Sequence, residues 1–297
     1  LNTPRHRFDD FARGAPRFFW GLTKKILIAD QVAAIADAAF GTSTGELTTG
    51  VAWAGMIAYT VQIYFDFSGY SDMAIGLARM FGFDFPENFN HPYSATSVTD
   101  FWRRWHISLS SWFRDYVYIP LGGNRRGVRR TYINLAIVFL LTGVWHGAAW
   151  TFVAWGIFHG SLLVFERVSG LAHASDKPLS ICVRRIFTMV AVGVGWIIFR
   201  SPDLATAARH IAALTPAYWG ALPPGLDQML SRQRMTWLIV GLSVVVLPAR
   251  QSLGSIVSAG KGMRADAARL AVVAVLGPIC LMYALSGSFS PFLYFQF

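Results

Sequence analysis

The sequence predicts an all-α membrane protein that crosses the bilayer several times, and three of its features support this class. Of the 297 residues, 54% are hydrophobic and only 14% are charged, whereas soluble domains carry roughly 25% charged residues. Several apolar runs approach the roughly 20 residues that a helical span requires. The net charge of +10 would suggest nucleic-acid binding in a soluble chain. Here the basic residues lie between the apolar runs, which is typical of cytoplasmic loops and of contact with anionic lipid headgroups.

The amino-terminal part of the chain is predicted to alternate between ordinary and interrupted helices. Residues 11–40 combine an apolar stripe with Arg, Lys and Asp, which favours an amphipathic helix at the membrane interface. Residues 51–67 form the first convincing span. Pro86 and Pro92 cannot continue a helix, and aromatic and charged side chains are mixed throughout 69–130. We therefore expect short, tilted or re-entrant helices over 69–130, buried in protein or lining a wet cavity.

The second half of the chain carries the more continuous apolar runs. Residues 131–165 contain no Asp, Glu, Lys or Arg, so this run can form two spans or one helix broken near residues 143–147. The chain closes on an aromatic tail that is typical of a membrane interface. Because no internal repeat is found, we predict a single membrane domain over residues 1–297. Further spans are predicted at 183–199, 235–249 and 268–286.

One histidine lies in the middle of the uncharged run, in the sequence TGVWHGAAW: His146. A neutral imidazole is tolerated in an apolar span where a charge is not, and it can accept and return a proton. The small neighbours Gly143 and Gly147 leave room for a substrate atom, and Trp145 can wall the site. Ionisable residues inside a membrane are frequently functional. His146 is therefore a candidate proton acceptor, and the alternative is that it only hydrogen-bonds a neighbouring helix.

A second histidine, His106 in the sequence WRRWHISLS, lies on a separate apolar and aromatic segment and follows Trp105. Two histidines on separate membrane segments can face one cavity. The alternative is that His106 packs at the interface beside Arg103 and Arg104. The sequence leaves both interpretations open, with interfacial packing slightly favoured for His106 taken alone.

The other informative histidines are predicted to be structural. On one straight helix, His159 would lie on a different face from His146, and His91 precedes a proline, which favours a turn. The sequence has no HExxH pattern, no GxSxG nucleophile elbow and no Walker A loop. We therefore predict no bound metal and no tightly bound cofactor.

Two carboxylates near the end of the first span, Asp66 and Asp72, need partners. An unpaired Asp at membrane depth would cost several kcal/mol. The sequence interpretation is a buried polar network that braces the helices, in which these carboxylates pair with Arg103 or Arg104.

Four stretches carry a resemblance to a known family: QIYFDFSGYSDMAIGLARMFGFDFPENFNHPY, FWRRWHISLSSWFRDYVYIPLGGNRRG, LTGVWHGAAWTFVAWGIFHG and the terminal PFLYFQF. They look like the membrane-bound O-acyltransferases, and most like the alginate O-acetylase branch of that family. The resemblance runs from about Phe11 to Phe297. Members of this branch carry several further amino-terminal spans, and the chain starts at Leu1 without a signal peptide, so we expect it to lack an amino-terminal portion.

The resemblance implies a multi-helix core with tilted and re-entrant helices around a central tunnel, and an acyltransferase activity. His146 matches the catalytic histidine of the family and would be the general base, while His106 matches the other signature histidine and could donate an N–H to the oxyanion. The donor would be acetyl-CoA or another acyl thioester. Residues expected to contact substrate are Trp105, Trp145, Asn124, Arg125 and Arg126, with the arginine loop attracting the phosphates of coenzyme A or of a carrier.

The implied setting is the bacterial inner membrane, with periplasmic acetyltransferase partners and an exported polysaccharide such as alginate as the acceptor. Peptidoglycan, teichoic acid and cellulose remain alternative acceptors. A proton-coupled transporter with His106 and His146 as relay groups is a different class, although the paired broken spans of many transporters are not seen. A non-catalytic scaffold of an export complex is the third possibility.

Overall fold

The computed structural model describes residues 8–171, 177–246, 253–286 and 292–293, and these ranges contain helices and no strands. The all-α prediction is therefore confirmed for the described part of the chain. The α-helices found there are α1 (Phe8–Thr23), α2 (Asp30–Phe40), α3 (Thr49–Met80), α4 (Val98–Arg104), α5 (Ile107–Phe113), α6 (Val128–His146), α7 (Trp150–Val168), α8 (Pro178–Arg200), α9 (Leu204–Ala213), α10 (Pro224–Met229), α11 (Arg232–Val246), α12 (Leu253–Ala259), α13 (Met263–Ala271) and α14 (Gly277–Leu285).

The chain divides into two compact units. The first unit lies within Leu1–Ala38, Ala58–Glu87 and Pro224–Gln296, and the second within Ala39–Ile57 and Asn88–Pro223. Helix α3 supplies residues to both. The prediction of one membrane domain stays a prediction.

The first unit is built on a long helix that runs from α1 into α2 through a π-helical segment, Lys24–Ala29. Residues 25–29 are buried within the protein, and the prediction that residues 11–40 form an interfacial or amphipathic helix stays a prediction. Glycines allow α1 to approach α3 closely, because a Cβ added at Gly14 or Gly21 would overlap a carbonyl oxygen of α3. Small residues at helix contacts are typical of membrane proteins.

Buried ion pairs connect the same two helices of the first unit. The Lys25 ammonium lies 2.5 Å from Asp66 and 2.9 Å from Asp30. Asp72 accepts from Arg17 at 2.8 Å and from Lys24 at 2.6 Å. The predicted buried network around Asp66 and Asp72 exists, but the prediction that Arg103 or Arg104 supplies its positive charge is wrong.

The two arginines proposed as partners lie elsewhere. Arg104 pairs with Asp100 one turn earlier in α4, at 2.8 Å, and the Arg103 side chain is exposed. The cations that replace them are Arg17, Lys24 and Lys25. They come from the helix that precedes α3 in the chain, which packs against α3.

The carboxyl-terminal helices complete the first unit. A π-helical segment, Val272–Leu276, joins α13 to α14, and Cys280 of α14 is buried against Ile26 and Leu27. The predicted spans at 235–249 and 268–286 correspond to α11 and to the run from α13 to α14. The predicted tail at 290–297 lies almost entirely outside the described residues.

Within the described ranges, two helical runs are long and apolar enough to cross a membrane: Pro178–Arg200, which is α8, and Met263–Leu285, which covers α13 to α14. Both coincide with predicted spans. The run over 51–67 belongs to α3, which continues to Met80, so the prediction of short elements is wrong for residues 69–80. From 81 to 118 it is confirmed, because the helix ends before Pro86 and Pro92 and only the short α4 and α5 follow, with a π-helical turn at Arg114–Tyr118.

In the second unit, α6 and α7 form a tightly packed helical hairpin. The uncharged run breaks directly after His146 and resumes at Trp150, so the helix break lies at the end of the predicted range 143–147. That α6 and α7 each span the membrane stays a prediction. Gly143 of α6 faces Gly156 of α7: a Cβ added at Gly143 would overlap the Phe152 carbonyl oxygen. The two backbones can approach this closely only because both positions lack a side chain.

Replacing Gly143 with alanine is therefore expected to destabilise the protein. Inserting a methylene group into a close-packed interior typically costs about 1–3 kcal/mol, and here the obstacle is backbone. The measurement is the unfolding midpoint of detergent-solubilised protein titrated with a denaturing detergent. Gly45→Ala is the matched control, since nothing lies within 4 Å of a Cβ added there. Equal midpoints for the two variants would contradict the packing argument.

Candidate active site

The turn that carries His106 joins α4 to α5 and has an unusual backbone. His106 adopts φ 46° and ψ 55°, the left-handed region, which costs a non-glycine residue roughly 1–2 kcal/mol. Strained residues of this kind cluster at functional sites. His91 adopts nearly the same conformation, in the turn that the sequence predicts for it.

Helix α4, which leads into this turn, is held at its start by a buried carboxylate. Glu166 of α7 accepts hydrogen bonds from the Val98 N–H at 2.5 Å, the Thr99 N–H at 2.9 Å and the Thr99 hydroxyl at 2.8 Å. The first N–H groups of a helix have no intrahelical acceptor and favour negative charge. Glu166 therefore fixes α4 against the α6–α7 hairpin.

His146 is the last residue of α6, and its ring is enclosed by aromatic rings. The centroid of the imidazole lies 4.9 Å from Trp145, 5.2 Å from Trp155 and 5.0 Å from Phe199. The Trp155 and Phe199 contacts are edge-to-face, which is a favourable geometry for aromatic pairs. Because α6 ends at this point, the imidazole is positioned by packing from α7 and α8 and remains partly accessible.

The structure brings the two candidate histidines into one aromatic cluster of the second unit. The Trp145 ring contacts both, at 4.9 Å from His146 and 6.4 Å from His106. A second connection runs through the interior, where Trp196 lies 5.0 Å from Trp105 and 6.4 Å from Trp155. His106 therefore contacts the same aromatic cluster as His146, and its position relative to the membrane interface stays a prediction.

The two tryptophans expected to contact substrate are placed differently. Trp145 is 46% exposed and lies against both histidines, whereas Trp105 is only 4% exposed. Trp105 stacks on Phe101 at 5.5 Å and fills the interior. Trp145 is therefore the better placed of the two for a substrate, and its role stays a prediction.

His159 belongs to the same cluster, although the straight-helix argument placed it apart. That argument does not apply, because the break after His146 puts the two histidines on different helices. His159 is fully buried, its Nδ1 accepts from the Trp102 indole N–H at 3.3 Å, and its ring lies 5.1 Å from Trp155. A Cβ added at Gly195 would overlap its Nε2, so α8 packs directly on it. This environment agrees with a structural role.

The predicted phosphate-binding residues lie in an exposed turn before α6. Asn124, Arg125 and Arg126 are all exposed. Asn134 of α6 holds the turn in shape, since its side-chain amide donates to the carbonyl oxygens of Leu121 at 3.3 Å and Gly123 at 3.0 Å. The three residues are available to an anion, and their assignment stays a prediction.

Asn88 contacts the candidate site, and the sequence argument did not identify it. Its side-chain oxygen lies 3.2 Å from His106 Nδ1. The proline-rich stretch FPENFNHPY signals a turn, but no local pattern indicates that the turn folds back on His106. Among the described residues, no group of three or more His, Cys, Asp or Glu side chains is placed to hold a metal ion.

Comparison with known proteins agrees with the resemblance found in the sequence. The sequence model of the membrane-bound O-acyltransferase family matches residues 2–198 of the chain. A probable alginate O-acetylase of Azotobacter vinelandii is 44% identical over 327 aligned residues, covering 100% of this chain and 64% of the relative. The corresponding protein of Pseudomonas putida is 43% identical, with 100% and 63% covered.

A peptidoglycan O-acetyltransferase of Helicobacter pylori is 43% identical over 210 residues, which covers 70% of this chain and 39% of the relative. The chain spans less than two thirds of the length of the first two relatives. The family match extends over α1 to α7 and most of α8, and so includes both histidines, Trp145 and Trp155, and ends just before Phe199. The chain belongs to the membrane-bound O-acyltransferase family.

Proposed function

We propose that the full-length protein transfers an acetyl group from a cytoplasmic thioester towards a hydroxyl group of an exported polysaccharide. The observation that carries this proposal is that His106 and His146 both contact the accessible Trp145 ring, at centroid distances of 6.4 Å and 4.9 Å. Family membership supplies the reaction class, and the cluster supplies a base in an apolar setting.

In the proposed reaction, the acceptor oxygen attacks the thioester carbonyl carbon. A C–O bond forms, the C–S bond breaks, the hydroxyl proton passes to His146, and the departing thiolate takes a proton back. General-base assistance of this kind typically contributes about 10²–10⁴-fold. The aromatic rings around His146 give the imidazole an apolar setting on three sides, which limits the water that could compete with the acceptor for the thioester.

The names of the relatives guide the proposed acceptor. Two relatives that align with the whole chain are called probable alginate O-acetylases, which favours alginate or a similar exopolysaccharide. The relative named as a peptidoglycan O-acetyltransferase makes a cell-wall glycan the second candidate. Either acceptor lies outside the cytoplasm, so we propose an inner-membrane location and periplasmic partner proteins that complete the transfer.

The donor is proposed to be acetyl-CoA or an acetylated carrier. The exposed turn with Asn124, Arg125 and Arg126 offers two guanidinium groups, and guanidinium binds phosphate in a bidentate manner. A cytoplasmic loop under the positive-inside rule also explains these arginines, so this assignment is the least constrained part of the proposal.

The test uses the full-length parent protein in its native host. Deleting its gene should remove acetyl ester from the secreted polymer, and restoring the gene should return it. Unchanged polymer esters together with loss of cell-wall esters would favour the peptidoglycan acceptor. Proton-coupled solute uptake by membrane vesicles without an acyl donor would instead support a transporter and overturn the proposal.

A further inference from the structure

The side-chain oxygen of Asn88 receives three polar contacts from the turn that carries His106. It accepts from the Ser108 backbone N–H at 3.2 Å and from the Ser108 hydroxyl at 2.9 Å, and it lies 3.2 Å from His106 Nδ1. These distances fall within the usual range for hydrogen bonds. Asn88 therefore contacts the imidazole and the start of α5 at once.

The contacts identify which atom of the amide faces the histidine. A backbone N–H can only donate, so the atom that receives the Ser108 N–H must be the amide oxygen and not the amide nitrogen. That oxygen cannot donate to His106. The hydrogen bond between them requires a proton on His106 Nδ1, and in the neutral ring the lone pair then lies on Nε2.

Backbone hydrogen bonds hold Asn88 in register with the turn. The Ile107 N–H donates to the Asn88 carbonyl oxygen at 3.0 Å, and the Asn90 N–H donates to the Arg104 carbonyl oxygen at 2.9 Å. The left-handed backbone at His106 is thus supported from both sides. Segment 88–90 fixes the histidine through backbone and side chain together.

We propose that Asn88 is a positioning residue that keeps His106 in the tautomer with hydrogen on Nδ1 and the lone pair on Nε2. This inference rests on the proposed acetyl transfer and deepens it. Neutral His106 then accepts a hydrogen bond from a substrate hydroxyl through Nε2. It cannot donate from Nε2 to the oxyanion, which was its expected role, so another group must stabilise that charge.

The experiment compares Asn88→Asp with Asn90→Asp in the full-length protein. A carboxylate at 88 keeps the acceptor oxygen for both Ser108 donors and so preserves the turn, but it also favours the charged imidazolium. His146 is a titratable neighbour whose charge acts on His106, and both variants retain it. Asn90 is exposed and contributes its backbone N–H, which substitution does not remove, so Asn90→Asp adds the same charge without the contact.

The measurement is acetyl ester formed by isolated membranes as a function of pH, normalised to the amount of folded protein. In Asn88→Asp the acidic limb of the profile should move to higher pH by about 1–3 units, the range that a nearby opposite charge produces. Activity should return towards the wild-type level above the new limb. Asn90→Asp should keep the wild-type profile.

An unshifted acidic limb in Asn88→Asp, or activity lost at every pH while the protein persists, would overturn the role of Asn88. Asn88→Ala provides a second variant, expected to lower activity at every pH without moving the limb, because it removes the acceptor and adds no charge. Wild-type membranes that form no ester would overturn the proposed function itself. A failure of the proposed function is therefore distinguishable from a failure of the role of Asn88.

Discussion

Replacing His146 with glutamine should lower acetyl-ester formation at least about 100-fold while the protein remains in the membrane, since a positioned general base typically contributes about 10²–10⁴-fold. Glutamine keeps a polar side chain of similar length but cannot accept a proton near neutral pH. Three aromatic rings within 5.2 Å hold the imidazole. They belong to α6, α7 and α8, and the change should leave these helices packed.

The control for this variant is a histidine in the same unit that lies outside the aromatic cluster. His210 is buried, and its ring nitrogens lie 3.1 Å from the Thr206 carbonyl oxygen and 3.4 Å from that of Ala39. His210→Gln should lower stability more than His146→Gln does, yet leave ester formed per folded molecule near the wild-type level. Acetylation is measured on the secreted polymer, with membrane abundance as the folding readout.

Retention of ester in His146→Gln would show that the base lies elsewhere or in a partner protein, and the scaffold interpretation would then explain the chain better. The activity of His106→Gln should be compared with that of His146→Gln in the same assay. If His106 accepts a hydrogen bond and His146 takes the proton, both variants lose activity. Only the His146 variant should then respond to an added small base such as imidazole, because only there is the proton acceptor missing.

The helical class and a helix break near His146 could be predicted from the sequence, because they follow from local composition. The sequence leaves open whether His106 and His146 meet, since the aromatic contacts that join them depend on the fold. Periodicity and proline positions determine where helices end. The partners of Asp66 could not be predicted from local composition or motifs. With 26 Lys and Arg in the chain, the sequence does not single out one partner, whereas the packing of α1 and the π-helical segment after it against α3 selects Lys25.

Asn88 shows the same limit at the candidate site. It precedes His106 by 18 positions, and its contact depends on a turn that folds back between two short helices. No periodic pattern covers such a turn. A continuous helix would put His159 on a different face from His146. The break after His146 places the two histidines on separate helices, so helical periodicity does not give the neighbours of His159.

The largest stability effect is expected at Lys25, whose side chain is 2% exposed and lies between two carboxylates. Lys25→Met should destabilise the protein by about 3–5 kcal/mol, because removing one partner of a buried ion pair leaves an uncompensated buried charge. Here two carboxylates, those of Asp30 and Asp66, lose the ammonium. The readout is the unfolding midpoint in mild detergent titrated with a denaturing detergent.

Lys24→Met is the matched control on the neighbouring residue. Asp72 would lose Lys24 but keep Arg17, whose guanidinium donates to it at 2.8 Å, so this variant should be clearly less destabilised. Asp66→Asn should also be milder than Lys25→Met. It leaves the Lys25–Asp30 pair, and the amide oxygen can still accept from the Leu293 N–H, which lies 2.8 Å from Asp66.

A charge-free triple variant, with Lys25→Met, Asp30→Asn and Asp66→Asn together, separates charge from packing. Replacing all members of a buried ionic group by neutral ones is often close to neutral for stability, so the triple variant should recover part of what Lys25→Met alone loses. A triple variant less stable than Lys25→Met would contradict the electrostatic explanation. It would indicate that the ammonium acts mainly through packing, including its position 4.9 Å from the Phe292 ring centroid.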